Sequence, residues 1–487
     1  MAYPPKSAFD QTIPTVHWSA GMEGQTVQET LNQMGTYFPT PRFSIPLDGS
    51  LTCTGGAGTC ERATPAQYTD AVTGEIKTAA TLTPRFQLHP TTGRIAYLQE
   101  RVSINVLGDS NDVEAGSWNN TFQTSGPKEI APNGEIEGVE AHHSTGDGKI
   151  DQLANTDSTD GQYISFSVYV KAIGTKQTPW VRLAYRHRSG NHTYVYYDLV
   201  NGVVGSVNKG SGPDALRVII EKAAHDYYRV GFTVVESVGG STQSTKVFVK
   251  PAVGDGDVAA PATIGNGLRI WGVQLEVGVS VSSIVYTPTA ASVTRDQDKL
   301  VFPPAFTVTN DRQEGAYSML VTPLANTDDI SATGLAAVVL AADLNATFMA
   351  SMEDGVARPR GNLQWNSGNA NSMVSGYTIV DKGNIMTICQ TYNNNGDSGI
   401  NGDTTSTGLN TFAFSGTKRF TWVGGVRYGR ANNNATSDDF SNFPVITETY
   451  VGYQAWSEPL PCLISDIHFW PLLTDAQAEF ISKTGAR

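Results

Sequence analysis

The sequence predicts an all-β protein built from two antiparallel β-sandwiches of jelly-roll type, preceded by a short helical docking segment. Three observations predict it. Charged residues are only 16% of the 487, so Ser, Thr, Asn, Gln and 49 glycines must cover the surface, which suits strands joined by long polar loops. Short runs of alternating apolar and polar residues recur, separated by Gly, Asn, Asp and Pro turn signals. Clear helical periodicity is confined to one short stretch near each end. The length itself calls for more than one core.

Residues 1–60 read as an arm with a helix. The first 22 carry several prolines and little periodicity. Met22–Met34 (MEGQTVQETLNQM) then sets Val27, Leu31 and Met34 on one stripe, with Gly35 as a stop. So short a helix needs a surface to dock on, in this chain or on another subunit. Residues 61–107 meander through turns at Thr73-Gly74 and Thr92-Gly93 with few consecutive apolar residues, and are expected to wrap over a larger domain.

Residues 108–298 hold the first sandwich. Its strands are Tyr163–Ala172, Trp180–Tyr185, Thr193–Leu199, Asp226–Val235, Thr245–Lys250 and Leu268–Glu276, with Gly202, Gly205 and Gly210 at turns. Leu216–Ala223 fits a strand or a helix by pattern, and its neighbours select a strand. In Leu268–Glu276 a strict period of two puts Leu268, Ile270, Gly272, Gln274 and Glu276 on one face and Arg269, Trp271, Val273 and Leu275 on the other. Charge then appears abruptly at Arg295, Asp296, Asp298 and Lys299, and Pro303-Pro304 opens the next unit. Residues 299–487 form the second sandwich, from Ala316–Val321 to Cys462–Trp470, closed by a short helix with Thr474 as N-cap and Gln477 completing a capping box.

A net charge of −13 without any Lys/Arg-rich block argues against nucleic-acid binding. No window approaches a membrane span, and the N-terminus lacks the basic and apolar regions of a signal peptide. Four cysteines are not a disulfide framework; Cys53 and Cys60 flank TGGAGT and are spaced to close a small loop, whereas Cys389 and Cys462 read as buried thiols.

Nothing in the spacing marks an enzyme. Asp198, Glu236, Glu276 and Glu353 are the carboxylates available for an acid pair, and no spacing singles out two of them. No nucleophile elbow and no phosphate loop is present. His142-His143, His187 and His192 lack zinc spacing. Tight Asp/Gly/Asn turns make Asp147, Asp157, Asp255 and Asp397 weak candidates for a structural calcium, and no other cofactor is expected. Sugar binding needs aromatic rings beside polar groups. The candidates are Tyr185, Tyr194 and Tyr196 in the first sandwich and Trp365, Trp422 and Trp456 in the second. Tyr194 and Tyr196 share a face, while Tyr197 takes the other with Val195; Trp180 and Trp271 read as core.

Several of these segments resemble a known family. Arg62-Ala63-Thr64, Tyr68, Asp70, Ile76–Ala80, Pro84-Arg85-Phe86, His89-Pro90, Thr92-Gly93 and Leu98–Asn105 together resemble a recurrent segment of tailed-bacteriophage virion structural proteins. Val102 and Ser103 stand where that family usually has alanine and arginine. The next domain resembles the carbohydrate-binding-module-like jelly rolls such proteins carry, through Tyr227-Tyr228-Arg229, Leu268–Glu276, Gly278, Tyr286–Thr289 and Ser292–Arg295. Within it Trp271, Gln274, Glu276 and Arg295 are the structural motif. The last domain resembles concanavalin-like or laminin-G-like sandwiches, mainly in Ile464–Ala476, a class that often carries calcium.

The resemblance implies a non-enzymatic tail fibre or tail appendage on the virion exterior. It implies a homo-oligomer, a trimer by preference, docked to other virion proteins through its N-terminal segment and contacting a host-surface glycan. A capsid-bound head fibre or decoration protein is the alternative. A polysaccharide depolymerase, the third reading, calls for long parallel β-helix repeats, and none is visible.

Overall fold

The computed structural model describes residues 41–89, 93–120, 127–142, 149–154, 158–173, 180–208, 212–239, 243–256, 267–304, 314–324, 335–341, 347–353, 358–365, 369–374, 386–393, 418–423, 426–428, 448–451, 461–471, 473 and 477, with only the backbone for most strands between 314 and 451. The expected Met22–Met34 helix lies outside the described residues, as does all but Gln477 of the expected final helix. Every other described element is a strand, apart from a three-residue 3-10 turn at Ala224–Asp226.

The first sandwich is two six-stranded antiparallel sheets. The front sheet runs, in order, Asn119–Asn120, Ile150–Ala154, Thr245–Ala252, Trp180–Arg186, His192–Asp198 and Val203–Asn208. The back sheet runs Glu129–Ile130, Ile136–His142, Gly267–Val277, Tyr163–Ile173, Tyr228–Val235 and Ala215–Lys222. The pattern-ambiguous stretch after Pro213 is therefore a strand, paired to Tyr228–Val235. Period-two alternation explains the core between the sheets. Val181, Leu183, Tyr185, Val195, Tyr197, Val247 and Val249 point inward from the front, and Phe166, Val168, Val170, Val230, Phe232, Ile270 and Leu275 from the back. Each such side chain, fully buried, contributes roughly 1.5–3 kcal/mol relative to exposure.

The Gly267–Val277 strand breaks strict alternation. Ser167 pairs with Gln274 and Tyr169 with Trp271, so one extra residue is inserted in this strand. Gly272 absorbs it at φ +63°, in the left-handed region that glycine enters freely. Leu268 and Ile270 therefore face the core before the bulge, and Val273 and Leu275 after it. This corrects the two-face assignment from periodicity. Gln274 and Glu276 share the outer face with Trp271, not with Leu268 and Ile270. A Cβ on Gly272 would lie 2.5 Å from Ile284 Cδ1 and 3.0 Å from Tyr169, so the bulge can be packed this closely only with glycine.

The second sandwich is built from an eight-stranded and a seven-stranded sheet. Residues 299–487 do not complete it alone. Phe43–Ile45 and Ile95–Gln99 both pair with Cys462–Trp470, and Phe86–Leu88 adds to Ile95–Gln99. Thr59–Cys60 pairs with Leu300–Phe302 at the edge of the other sheet. The wrapping segment then crosses to the first sandwich. Ser103–Asn105 pairs with Val293–Arg295, and the Asn105 side chain accepts from the Leu275 amide at 3.1 Å. Cys53 and Cys60 stand as free, buried thiols rather than closing a loop. Burial pushes the Cys60 thiol up to about 11.

Candidate functional site

The outer face of the back sheet is sealed along Gly267–Val277. Trp271 is fully buried against Tyr169 and Tyr286, with ring centroids 5.3 and 5.4 Å away, and its Nε1 donates to Glu137 at 2.9 Å. Ile76, Ala131, Tyr227 and Ile284 complete this second small core. Beyond it, Glu276 accepts from the Ser282 amide and hydroxyl at 2.7 Å each and from Gln274 Nε2 at 2.8 Å. Gln274 in turn accepts from the Val285 amide at 2.6 Å. The chain after the closing strand is thus folded back onto the sheet it has just left.

A buried ion cluster joins that returning segment to the wrapping segment. Asp298 accepts from Arg62 at 2.6 Å and from both Nε and Nη2 of Arg85. Glu100 accepts from Arg85 at 2.6 Å, from the Ser283 amide and hydroxyl at 2.6 Å each, and pairs with Arg295 at 3.1 Å. Arg295 also donates to the Ser283 hydroxyl at 2.6 Å and to the Arg101 carbonyl at 3.1 Å. Burial pushes the Glu100 carboxyl up, but Arg295, Arg85 and Ser283 outweigh it and hold the group at about 2. Charges this deep are stable only because nearly every lone pair and proton is matched. Sequence reasoning passed over Arg62, Arg85 and Asp298 as an ion cluster, since residues more than 200 positions apart cannot be paired by pattern.

The front sheet's outer face is different. Register places Ala184 between Tyr194 and Phe248, Arg182 between Tyr196 and Lys250, and Arg186 between His192 and Lys246. The rings form a continuous row. Lys149 Nζ sits 5.2 Å from the Phe248 centroid, His192 lies 5.6 Å from Phe248 and stacks on Tyr194 at 5.9 Å, and the Arg182 guanidinium lies 4.9 Å over the Tyr194 ring. Trp180, Arg182, Arg186, His192 and Tyr194 are all half-buried, leaving part of each side chain to solvent. Trp180 ends the row against Gly205, where a Cβ would come within 2.4 Å of its Cζ3. Burial first, then Arg186 and Arg182, push the His192 imidazole below its usual value, so it stands neutral near pH 7.

The sequence candidates divide on this geometry. Tyr194 belongs to the half-exposed row. Tyr185 is fully buried in the core, donating to Glu236 at 2.5 Å, and offers no face to a ligand. Tyr196 lies on the outer face but is only 4% exposed. Trp180, read as core, instead lies half-buried beside the row. The side chains of Trp365 and Trp422, and all of Trp456, lie outside the described residues. Sequence reasoning missed Arg182 and Phe248; their outward positions were readable from alternation with Val181, Leu183, Val247 and Val249, but their meeting with Tyr194 and His192 depends on register.

The candidate acids are occupied. Glu236 is buried and accepts from Tyr185, Ser158 and the amides of Arg188 and Ser237. Burial raises its pKa, and the bonds from His187 and Tyr185 outweigh this and lower it. Asp198 caps its own turn through the Val200 and Asn201 amides at 2.9 and 3.1 Å. Asp255, the described calcium candidate, accepts from the Ser206 amide at 2.5 Å and hydroxyl at 2.9 Å; Asp147, Asp157 and Asp397 lie outside the described residues. Among the described residues no three His, Cys, Asp or Glu side chains come together as metal ligands. The Glu353 side chain lies outside the described residues.

No protein-family model matches the sequence, and no curated protein matches it. Solved structures similar to it include domain 4 of AbnA, a GH43 extracellular arabinanase from Geobacillus stearothermophilus in complex with arabinotriose, at 14% identity over 38% of this chain and 73% of that one, TM-score 0.23. Trypanosoma rangeli sialidase in complex with sialic acid is similar at 9% identity over 84% of this chain and 63% of that one, TM-score 0.24. The botulinum neurotoxin serotype D binding domain is similar at 10% identity over 77% and 97%, TM-score 0.17. At these TM-scores the likenesses assign neither a shared topology nor an activity.

Proposed function

We propose that the chain is a non-enzymatic structural protein on the exterior of a tailed-phage virion, a tail fibre or tail appendage that contacts a host-surface glycan through the front sheet of its first sandwich. One observation carries the binding part. His192 and Tyr194 stack as a half-exposed ring pair on the sheet face beside buried Phe248, with hydrogen-bonding side chains alongside. Rings of this kind stack on the C–H faces of sugars, and flanking polar groups fix orientation. The virion part rests on the resemblance of residues 60–298 to phage structural proteins. The N-terminal segment serves as the dock to other virion proteins, and the assembly is a homotrimer.

Retention on host cells or isolated envelope polysaccharide tests the reading. The intact chain is expected to be retained, and the Tyr194→Ala protein, equally folded, is expected to be released. Retention of both alike, or of neither at high protein concentration, overturns it. Release of new reducing ends from the polysaccharide would show an enzyme instead.

A further inference from the structure

The chain as a whole carries −13, yet the described part of the front face is cationic. Lys149, Arg182, Arg186, Lys246 and Lys250 stand on it or at its rim. The described carboxylates there are Asp151, Asp198 and Asp255, and each is already engaged. Asp151 accepts from Lys246 at 2.7 Å and Asn119 at 3.1 Å, Asp198 caps its turn, and Asp255 holds Ser206.

Arg182 is the exception. Its half-exposed guanidinium is stacked on Tyr194 and pairs with none of these carboxylates. A guanidinium held flat on a ring keeps its N–H edge free, and that edge matches a carboxylate in two parallel hydrogen bonds.

From this we infer that the ligand of the front face is an acidic saccharide whose carboxylate docks on Arg182 while its ring stacks along Tyr194 and His192. The inference rests on the glycan-binding reading above and adds the charge of the sugar. Lys246 and Arg186, on the neighbouring strand positions, supply the surrounding positive field.

The test is calorimetric titration of the full chain with oligosaccharides of galacturonate, mannuronate and glucuronate-containing polymers. Each is run against the same material after carboxyl reduction to the neutral sugar. At least one acidic oligosaccharide is expected to bind, with about tenfold or greater loss on carboxyl reduction and a similar loss in Arg182→Ala. Arg182→Lys, which keeps the charge without the planar fork, is expected to recover only part of it. Binding is also expected to weaken as salt rises from about 0.05 to 0.5 M. Thermal unfolding of each variant separates lost contact from lost fold. Equal binding of acidic and reduced sugars, or full affinity in Arg182→Ala, overturns the acidic assignment and leaves glycan binding standing. No binding by any member of either set overturns both readings.

Discussion

On the front sheet the outward positions of two neighbouring strands carry Trp180, Arg182, Tyr194 and His192, and they remain half-buried. On the back sheet the outward positions of Gly267–Val277 carry Arg269, Trp271, Gln274 and Glu276, and all four are buried. Both faces thus present aromatic rings among hydrogen-bonding groups, and local composition does not tell them apart. The difference lies in what returns to cover them. Residues 280–298 and the wrapping segment fold over the back face and fasten to it through Glu276, Glu100 and Asp298. Among the described residues, no second segment of this kind lies over Tyr194 and Arg182. An aromatic–polar face becomes core where the chain folds back over it, and stays open to solvent where no such segment returns.

The contrast breaks most severely at the ion cluster. Glu100→Gln leaves Arg85 and Arg295 buried beside a neutral group, and is expected to cost about 3–5 kcal/mol of stability in denaturant unfolding. A cost under about 1 kcal/mol would mean the back face is held by apolar packing alone.

Acid acts on the same group. Its folded pKa is depressed from an ordinary 4.5 to about 2, so its contribution is present above 4.5 and is lost as pH falls toward 2. The loss is on the order of 3 kcal/mol for this one carboxylate. The midpoint of unfolding should therefore drop across that window in the parent chain and drop much less in Glu100→Gln.

Gly272→Ala should cost about 1–3 kcal/mol, because alanine at positive φ is strained and its methyl would press on Ile284 and Tyr169. Unfolding midpoints measure it. A neutral result would show that the bulge can migrate along the strand. The smallest stability effect belongs to the front face. Tyr194→Ala should change stability by less than about 1 kcal/mol while removing retention on glycan, the reverse of the back-face variants. A Tyr194 variant as destabilised as Gly272→Ala would place that ring in the core instead.

Much of the architecture was legible along the chain. Alternation marked Trp180–Tyr185, Thr193–Leu199 and Thr245–Lys250 as strands, and the structure has strands at Trp180–Arg186, His192–Asp198 and Thr245–Ala252; the same period of two accounts for the inward set Val181, Leu183, Val195, Val247 and Val249. Period two fails where the backbone changes hand, and at Gly272 it misassigned every side chain before or after the bulge. The candidate site was half legible. Alternation puts Tyr185 on the inward face of Val181 and Leu183 and Tyr194 on the face opposite Val195, so the period separates the two rings, but only register shows that Tyr194 lies beside Arg182 and that Tyr185 meets Glu236.

By itself, then, the sequence determined the all-β class, most strands of the first sandwich and the direction each alternating residue faces within an unbroken strand. Those properties are local, set by side-chain type against a backbone repeat of two residues. The tertiary structure decided three further things: that residues 43–99 lend strands to a sandwich whose remainder lies beyond residue 299, that Arg62 and Arg85 meet Asp298 in a sealed cluster, and that Arg182 rests on Tyr194. Each of these depends on strand order and register over long separations. Loop-closure cost grows only slowly with chain length, so distant partners are open to every strand and the local pattern does not choose among them.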